Sequence, residues 1–496
     1  MKTNYPSFLM MYTPQVFDPK FGVVKPEGSL GLIYLASALR DKGFKVNLLD
    51  ASVGNEKYSL DETFYREEKQ ESGMVRVGMK INEIVKEIRD FDVIGITSIF
   101  TAQTRMVEEV VSAIKENYPD KIILLGGVNA RSQMQRFFRS GADLICLSEA
   151  EETIVEIGEV LRLGSKDFSN ISGLAGKDGF VNPQINVIQN LDDLPIPAWD
   201  LQPLEKYWEI SRPHGSGFTD GNVAYASVLF SRGCPFKCDY CHISKELDES
   251  NSGNIRKLRM KSIPRIIEEI TILKSFGVKY VFVEDDSLLA KKKRAIEIFK
   301  KLIAMNISLA DVNGINLAHL CTRVDGKFEV DHELLEIMAE AGFKKLVFPV
   351  ESGSQRILDK YATGKLNLKN HDIIGLIKKA KDLKMEVAGN YTFGYPDEGF
   401  IEMLKTFNLA RDHMQAGLDY THFMYITPFP GTTFYDQVLN EGILIPDLDP
   451  ADMDWVRPSI KTKVPSWFID LIITKGWRYV NSSKRISLIK SMQPKD

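Results

Sequence analysis

The chain has 496 residues, 44% of them hydrophobic, with 63 basic and 67 acidic side chains and a net charge of −4. This length predicts two or three domains, and the near-balanced charge excludes the strongly basic surface that is typical of nucleic-acid-binding proteins. Every apolar run is shorter than a transmembrane segment, and the opening Met1–Pro6 does not resemble a signal peptide, so we expect a cytoplasmic protein.

Residues 1–165 alternate between short apolar strands and amphipathic helices, which predicts a doubly wound, Rossmann-like parallel sheet. The predicted strands are Phe8–Tyr12, Phe44–Leu49, Val93–Ser98, Lys121–Leu125 and Leu144–Leu147. The clearest helical patterns between them are Gly31–Lys42, Thr104–Asn117 and Glu151–Leu163. Such sheets bind ligands beyond the carboxyl ends of their strands, so we expect a binding site at that edge.

Small and turn-forming residues follow several of these strands. The first strand is not followed by a G-x-G-x-x-G motif, which disfavours a dinucleotide. Gly126-Gly127 follows the fourth strand and would let a bulky ligand approach the backbone closely. Taken alone, the pair is better explained as an ordinary strand-to-helix turn.

Residues 166–222 show weak periodicity and contain Pro195, Pro197 and the Gly-rich run 214–217, so we expect an extended linker. From 223 to 436 strands and helices alternate again, which predicts a partial (β/α)6 barrel. Its predicted strands are Ala226–Phe230, Tyr280–Val283, Asp311–Ile315, Leu346–Val350, Val387–Phe393 and Tyr420–Ile426. Its predicted helices are Ile263–Phe276, Lys291–Met305, Asp331–Ala341, Asp372–Leu383 and Phe400–Ala416. For residues 437–496 we predict a short helical cap over the barrel mouth.

Three cysteines follow the first barrel strand, Cys234, Cys238 and Cys241, and the chain has only two others, Cys146 and Cys321. The C-x3-C-x2-C spacing can hold three irons of a [4Fe–4S] cluster and leave the fourth iron open to a ligand. Zinc is the alternative, but a structural zinc site needs four ligands and no second C-x2-C pair exists. The two isolated cysteines are interpreted as core residues.

Acidic residues follow two other barrel strands, where parallel barrels place their catalytic groups. Glu284, Asp285 and Asp286 together could hold the ammonium of an amino-acid-like ligand, and Glu351 with Ser352 could hold a ribose or an amine. For the acidic triplet, a solvated turn or a helix cap is the alternative.

Three further groups near the predicted barrel mouth are weaker candidates. Thr427 and the Pro-Phe-Pro-Gly turn after it could approach an adenine ring, and Arg259 could bind a ligand carboxylate. A plain turn and a solvated basic surface are the alternatives. His319 is a candidate for proton transfer, although a hydrogen-bonded structural histidine is the favoured interpretation.

The run Cys234-Pro-Phe-Lys-Cys-Asp-Tyr-Cys241 resembles the cluster motif of the radical S-adenosylmethionine (SAM) superfamily. Other segments look like landmarks of its cobalamin-binding branch: 26–28, Ser98–Phe100 with Gly126-Gly127, 194–197, 284–286, 351–354 and 427–432. Residues 91–100, 194–209 and 351–369 are similar to cobalamin-dependent radical SAM methylases of the fosfomycin-pathway type. Residues 427–435 and the short C-terminal region depart from them, so the resemblance does not fix a phosphonate substrate.

The resemblance implies an enzyme with three cofactors, a [4Fe–4S] cluster, SAM and cobalamin, and reduced flavodoxin or ferredoxin as its electron donor. A 5′-deoxyadenosyl radical made from SAM would remove hydrogen from an unactivated substrate carbon, which methylcobalamin would then methylate. The implied cluster ligands are Cys234, Cys238 and Cys241. The implied SAM contacts are Tyr240, Arg259, Glu284, Asp285, Asp286, Glu351, Ser352 and Thr427. The implied cobalamin contacts are Glu27, Gly28, Ser98, Gly126, Gly127 and Glu149.

The first histidine of the chain is His214, so the N-terminal domain lacks the D-x-H-x-x-G loop by which many cobalamin domains bind cobalt from below. We therefore expect the lower cobalt face to meet water, another side chain or no ligand. Two alternatives to a methylase stay open: an enzyme with the same cofactors that contracts a ring or cyclises oxidatively, and a non-catalytic iron–sulfur protein. The substrate and the oligomeric state do not follow from the sequence.

Overall fold

The computed structural model describes residues 5–19, 26, 28–70, 73–211, 223–325 and 327–481, so Glu27 and the run 214–217 lie outside the described residues. The chain divides into two compact units that each draw on separate stretches of sequence. Unit 1 comprises Met1–Pro213, Lys245–Ile255 and Pro450–Asp452, and unit 2 comprises His214–Ser244, Arg256–Asp449 and Met453–Asp496. The predicted domain boundaries near 165, 222 and 436 stay predictions.

Unit 1 is built on a seven-stranded sheet with the order β7-β6-β5-β4-β3-β1-β2. Its strands are β1 (Ser7–Tyr12), β2 (Lys45–Asp50), β3 (Val93–Thr97), β4 (Ile122–Gly126), β5 (Leu144–Cys146), β6 (Leu174–Gly176) and β7 (Val181–Asn182). The first five are parallel, as predicted. The last two pair antiparallel and come from the segment expected to be a linker, so part of that segment extends the sheet.

The helices of unit 1 form because apolar residues recur on one face. In Thr104–Asn117, for example, the buried residues Met106, Val107, Val110 and Ile114 follow helical spacing and join the core of the sheet. The other helices are Leu30–Asp41, Ile81–Glu87, Val128–Ser132, Met134–Ser140, Glu151–Arg162 and Leu204–Ile210. A small antiparallel sheet is formed by Gln15–Phe17, Glu67–Lys69 and Val75–Val77.

The order of the unit 1 strands creates a topological switch point between β1 and β3. The chain passes from β1 to β2 on one side, and then returns to place β3 on the other side of β1. Loops that leave the carboxyl ends of two such strands diverge and open a crevice, where doubly wound sheets bind ligands. The loops after β1 and β3 are therefore the candidate ligand-binding loops of unit 1.

Unit 2 contains a six-stranded parallel sheet whose strands follow one another in chain order, as predicted for a partial barrel. They are β8 (Tyr225–Val228), β9 (Tyr280–Val283), β10 (Ser308–Asp311), β11 (Phe343–Glu351), β12 (Glu386–Phe393) and β13 (Tyr420–Tyr425). The prediction for β10 was wrong in position, because the strand ends at Asp311. Val312 and Asn313 follow as a bend, after which the Gly314 N–H donates to Asp311 Oδ2 at 2.9 Å and Gly314 has a φ of +94°.

Polar caps define the starts of several unit 2 helices. Ser262 Oγ accepts from Arg265 N, and Asp331 caps the helix that begins at His332. The helices are Ile263–Ser275, Lys292–Ile303, His332–Glu340, Gln355–Tyr361, Ile373–Asp382, Phe400–Gln415 and Thr433–Asn440. Short antiparallel pairs link Ser231–Arg232 with Arg259–Met260, Lys237–Cys238 with Ala362–Thr363, and Cys321–Val324 with Lys327–Val330.

The described part of the C-terminal helical segment packs along β13 at the edge of the barrel sheet, and the predicted cap over the barrel mouth stays a prediction. It comprises Ser466–Leu471, the π-helical Ile472–Gly476 and Trp477–Val480. Tyr425 at the end of β13 donates to Asp470 at 2.6 Å, whereas Thr421 near its start accepts from Trp477 Nε1 at 2.8 Å. The segment thus runs along an edge strand that would otherwise be open to pairing. No helix among the described residues is long and apolar enough to cross a membrane.

Candidate functional site

The cysteine loop of unit 2 leaves the carboxyl end of β8 and is held by its own backbone. The N–H of Cys234 donates to the Arg256 carbonyl at 3.0 Å, and that of Cys241 donates to the Cys238 carbonyl at 2.9 Å. Cys238 lies in the short strand that pairs with Ala362–Thr363, and its N–H donates to Ser244 Oγ at 2.9 Å. All three cysteines are free of disulfides, and these backbone contacts hold the loop that carries them.

Gly233 lets this loop pass close to the segment before Arg259. Its φ is +93°, and a Cβ at this position would lie 2.5 Å from the Lys257 carbonyl oxygen. Its N–H donates to Asp286 Oδ2 at 3.1 Å, which ties the loop to the acidic end of β9. A larger residue would push the loop away from both partners, so the glycine before Cys234 serves packing as well as backbone conformation.

The donor set fits a cluster better than a single ion. Within the ranges that the structure describes, no three His, Cys, Asp or Glu side chains are grouped as ligands of one metal ion. A [4Fe–4S] cluster does not need such convergence, because each thiolate binds a different iron. Burial raises the pKa of all three thiols, that of Cys241 to about 12, so iron binding must displace their protons.

A buried ion pair lies beside the cysteine loop. Lys365 Nζ contacts Glu351 Oε1 at 2.7 Å, with the two side chains only 15% and 10% exposed. Thr392 Oγ1 donates to the other carboxylate oxygen of Glu351 at 2.9 Å. Lys365 Nζ also lies 5.9 Å from the ring centroid of Tyr240. The sequence did not single out Lys365 or Thr392, because neither belongs to a motif and only the folded chain brings them to Glu351.

One backbone feature of this group is typical of a functional site. Glu351, at the end of β11, has a φ of +66°, which a non-glycine residue adopts only where its surroundings hold it. The Tyr240 hydroxyl is buried beside the Cys238 thiol, and a hydrogen-bonding interaction between these two side chains partly offsets the rise that burial causes in the pKa of Cys238. Tyr240 therefore contacts a cysteine of the loop, and its role in SAM binding stays a prediction.

Other predicted SAM contacts use their side chains within the protein. Asp285 accepts from Phe230 N at 2.7 Å and from Ser231 Oγ, and burial raises its pKa to about 6. The Ser352 hydroxyl is fully buried, and Thr427 Oγ1 donates to the Asp454 carbonyl at 2.8 Å. These three groups therefore shape the strand ends instead of projecting towards a ligand, and any role in SAM binding stays a prediction.

The remaining predicted SAM contacts differ in exposure. Arg259 is 3% exposed and its Nε donates to the Lys257 carbonyl at 3.1 Å. Glu284 is half-buried and Asp286 is exposed, and both stand at the end of β9 beside the cysteine loop. The acidic triplet thus divides into one internal group, Asp285, and two groups that solvent can reach.

The burial of Glu398, which follows the Gly394–Asp397 turn, leads us to expect that the free energy of unfolding depends on pH. It is fully buried, one oxygen accepts from Gly394 N at 2.9 Å, and burial raises its pKa to about 8. Between pH 4.5 and 8 the folded chain therefore keeps a proton that the unfolded chain loses, and the free energy of unfolding falls by about 1.4 kcal/mol per pH unit.

We expect Glu398→Gln to remove this decrease in the free energy of unfolding, because glutamine does not titrate but keeps an oxygen that can accept a hydrogen bond. Urea unfolding at pH 6 and pH 7.5 should show that the wild type loses about 2 kcal/mol more than the variant. The exposed Glu268→Gln is the control and should follow the wild type. Equal pH slopes in all three proteins would contradict a protonated Glu398.

Three of the predicted cobalamin residues, Ser98, Gly126 and Gly127, lie at the carboxyl ends of β3 and β4. Gly127 has a φ of +100°, and a Cβ there would lie 2.4 Å from the Ser98 carbonyl oxygen. The Ser98 hydroxyl accepts from Asn129 Nδ2 at 2.7 Å. The close approach at Gly127 is thus made by the chain itself, whereas a Cβ at Gly126 would meet only Cys146, at 3.9 Å, and leaves room for a ligand.

The loop after β1 is braced by residues of the segment expected to be a linker. Gly28 has a φ of +49°, its carbonyl accepts from Gln202 Nε2 at 2.8 Å, and the Tyr207 ring lies against it. Tyr207 in turn donates to Asp50 at 2.7 Å. These braces were missed because they pair residues more than 150 positions apart. Glu149 is half-buried after β5.

Two hydroxyls in the loop after β1 fit a polar ligand at the switch point. Thr13 Oγ1 and Ser29 Oγ are buried and have no hydrogen-bond partner among the residues that are described. Thr13 directly follows β1 and Ser29 directly precedes the helix Leu30–Asp41, so the two hydroxyls stand at the two ends of this loop. Buried polar atoms of this kind are normally satisfied, so the crevice offers hydrogen bonds to a bound group such as cobalamin.

Three other residues considered from the sequence lie in packed surroundings. His319 packs against Phe236 with ring centroids 5.3 Å apart, and burial lowers its pKa to about 4. Cys321 and Cys146 are 4% and 3% exposed, and burial raises their thiol pKa values to about 11 and about 12. Neutral, packed groups of this kind suit structural roles.

Family models match both units. Residues 23–158 match the B12 binding domain, and residues 228–410 match the radical SAM superfamily. Among curated relatives, cytidylyl-2-hydroxyethylphosphonate methyltransferase of Streptomyces wedmorensis is 26% identical over 454 residues, which cover 84% of this chain and 79% of the relative. An uncharacterized methyltransferase of Pyrococcus horikoshii is 28% identical over 426 residues, with the same shares covered.

Solved structures show the same architecture. The radical SAM methyltransferase TsrM from Kitasatospora setae, with cobalamin and a [4Fe–4S] cluster bound, has a TM-score of 0.63 at 15% identity and covers 88% of this chain and 78% of its own. The cobalamin-dependent SAM radical enzyme OxsB, with aqua-cobalamin bound, has a TM-score of 0.70 at 17% identity and covers 99% and 71%. The two family matches on this fold identify the chain as a member of the cobalamin-binding branch of the radical SAM superfamily, with a [4Fe–4S] cluster, SAM and cobalamin as its cofactors.

Proposed function

We propose that this enzyme is a cobalamin-dependent radical SAM methyltransferase that methylates an unactivated carbon of its substrate. The observation that carries the proposal is the cysteine loop at the carboxyl end of β8, whose three free thiols suit a cluster with one open iron. The ligand crevice of the B12 binding domain supports it. The names of the two curated relatives, both methyltransferases, favour methyl transfer over the ring-contracting and cyclising alternatives.

Within this proposal the protein's own residues bind the cofactors, orient them and shield them from water. Cys234, Cys238 and Cys241 would hold three irons, while Gly233 and Asp286 keep the loop against the end of β9. Glu351 is oriented by Lys365 and Thr392 at the end of β11, where it can bind a polar group of SAM. When bound, the cluster would relay an electron from an external reductant, SAM would supply the radical and cobalamin the methyl group, while the protein supplies placement and exclusion of water.

An external reductant must deliver the electron, and we propose reduced flavodoxin or ferredoxin for this role. A reducing cytoplasm is the matching compartment, because all five cysteines are free thiols and a cluster with an open iron needs protection from oxidation. The substrate is a separate question. The cytidylyl phosphonate named for the Streptomyces relative is a reasonable first probe, but an identity of 26% leaves other small molecules, peptides and lipids open.

A labelling experiment that needs no substrate tests the proposal. Anaerobically reconstituted enzyme with reduced cobalamin is incubated with SAM that carries a deuterated methyl group. We expect labelled methylcobalamin on the protein and, with a strong reductant, release of 5′-deoxyadenosine. Release of 5′-deoxyadenosine without any label on cobalt would favour a non-methylating radical enzyme. Failure to cleave SAM at all would favour a non-catalytic iron–sulfur protein.

A further inference from the structure

Two neighbouring helices of unit 2 carry an exposed apolar patch. Of the eighteen large apolar side chains that are exposed in the described part of the chain, six lie on the helix Phe400–Gln415 or on the C-terminal helical segment. The six, which we call the apolar patch, are Phe400, Ile401, Leu404, Trp467, Leu471 and Tyr479. Exposed apolar side chains are ordinarily scattered singly, so a concentration of this kind indicates an interaction surface.

Ring contacts hold the two helices side by side, so the six side chains share one region of the surface. The Phe400 ring packs against Phe468 with centroids 4.9 Å apart, and Trp467 packs against the same ring at 5.8 Å. Further along both helices, the Phe407 ring stacks on Tyr479 at 6.4 Å. These contacts leave Trp467 65% and Tyr479 75% exposed, so each end of the helix pair presents an aromatic ring to solvent.

Basic side chains accompany the apolar patch. Lys405, Lys475 and Arg478 are exposed on the same two helices, and none of the three has an acidic partner among the described residues. The sequence after Asn481 adds further positive charge, with one acidic residue, Asp496, against four basic ones. The four are Lys484, Arg485, Lys490 and Lys495.

The acidic side chains of the two helices are engaged within the protein. Glu402 forms an ion pair with Arg356 at 2.7 Å, and Asp412 forms one with Arg411 at 3.4 Å. Asp470 accepts a hydrogen bond at 2.6 Å from the hydroxyl of the tyrosine that ends β13. The three unpaired cations therefore decide the sign of the charge around the patch, which is complementary to an anionic partner.

We propose that the apolar patch docks on the surface of an anionic phospholipid membrane. Trp and Tyr side chains suit a boundary where one end of the ring is in hydrocarbon and the other in water, and Lys and Arg beside them attract anionic headgroups. A symmetric dimer through this patch is disfavoured, because it would bring the like charges of two copies together. The contact needs no membrane-spanning helix and does not depend on the proposed methyl transfer.

Co-sedimentation of the reconstituted full chain with vesicles tests the proposal. We expect the wild type to bind vesicles of phosphatidylglycerol and phosphatidylcholine, to bind pure phosphatidylcholine vesicles much more weakly, and to be released by high salt. Trp467→Ser should weaken binding about tenfold, because the burial of a large apolar side chain is lost. Lys475→Gln should weaken it about fivefold, because one cation near the headgroups is lost.

Leu471→Ser and Leu163→Ser form a matched pair, since Leu163 is 80% exposed in unit 1 and lies outside the patch. Only Leu471→Ser should weaken binding. A wild type that binds neither kind of vesicle, or Trp467→Ser and Leu471→Ser variants that bind as well as the wild type, would overturn the proposal.

Two further outcomes would assign the patch to another occupant and so refute the membrane proposal. One is a dimer in light scattering that Trp467→Ser dissociates, without vesicle binding, which would make a second copy the partner. The other is vesicle binding that appears only when residues 482–496 are deleted, which would make those residues the occupant of the patch.

Discussion

Replacing Cys238 with alanine is expected to abolish SAM cleavage. Cys238 is buried, and its backbone N–H bond to Ser244 and its strand pairing do not depend on the thiol, so the loop should keep its shape. Two remaining thiolates cannot hold three irons, and the cluster should be lost. Iron and sulfide per chain should fall to the level of unreconstituted protein, and 5′-deoxyadenosine to the level of a control without enzyme. Cys234→Ala and Cys241→Ala should behave alike.

Cys321→Ala provides the matched control, because Cys321 is also a buried free thiol of unit 2 but lies outside the cysteine loop. It should lose some stability and keep its iron. A Cys238→Ala protein with wild-type iron content and SAM cleavage would contradict the assignment of the three cysteines.

Gly127→Ala is expected to destabilise unit 1 and to weaken cobalamin retention. The backbone at Gly127 has φ +100° and ψ 161°, a region that is open essentially to glycine alone, and the new Cβ would lie 2.4 Å from the Ser98 carbonyl oxygen. The chain must separate β3 from the turn after β4, at a cost on the order of 3 kcal/mol. Urea unfolding and the cobalamin content after gel filtration would measure both effects.

Gly43→Ala separates the effect of a positive φ from the effect of the close contact with Ser98. Gly43 also has a positive φ, +79°, but a Cβ there meets nothing within 4 Å. Its variant should lose only about 1 kcal/mol and keep its cobalamin. Equal losses in the two variants would show that the contact with Ser98 is not the reason for glycine at position 127.

The sequence predicted the regular elements well because their apolar periodicity is local. The helix Thr104–Asn117 and the strand Tyr280–Val283 have the bounds that were predicted. Leu174–Gly176 was missed because a strand of three residues has no readable alternation and forms only by pairing with β5. The predicted strand at Asp311–Ile315 was displaced because the turn at Gly314 was not recognised.

The candidate site could be predicted only where residue types and their spacing indicate a specific chemistry. Three closely spaced cysteines indicate a metal site, whereas a single lysine such as Lys365 indicates no particular function. The orientation of side chains at strand ends was also beyond the sequence. Asp285 and Thr427 stand at the expected ends, but internal hydrogen bonds take up their polar atoms. Tertiary contacts between distant segments decide whether such a side chain binds a ligand or the protein's own backbone.

Unit 1 is completed by two short stretches that are far along the chain, and this constrains how the protein can be made. Ser148 Oγ donates to the Ser252 carbonyl at 2.6 Å, and Arg105 pairs with Asp452. A ribosome that has finished residue 213 has therefore not yet supplied all of the unit, and B12 capture during synthesis would meet an incomplete domain. A truncated B12 binding domain ending there would lack these contacts, so expression designs should keep the chain through Asp452.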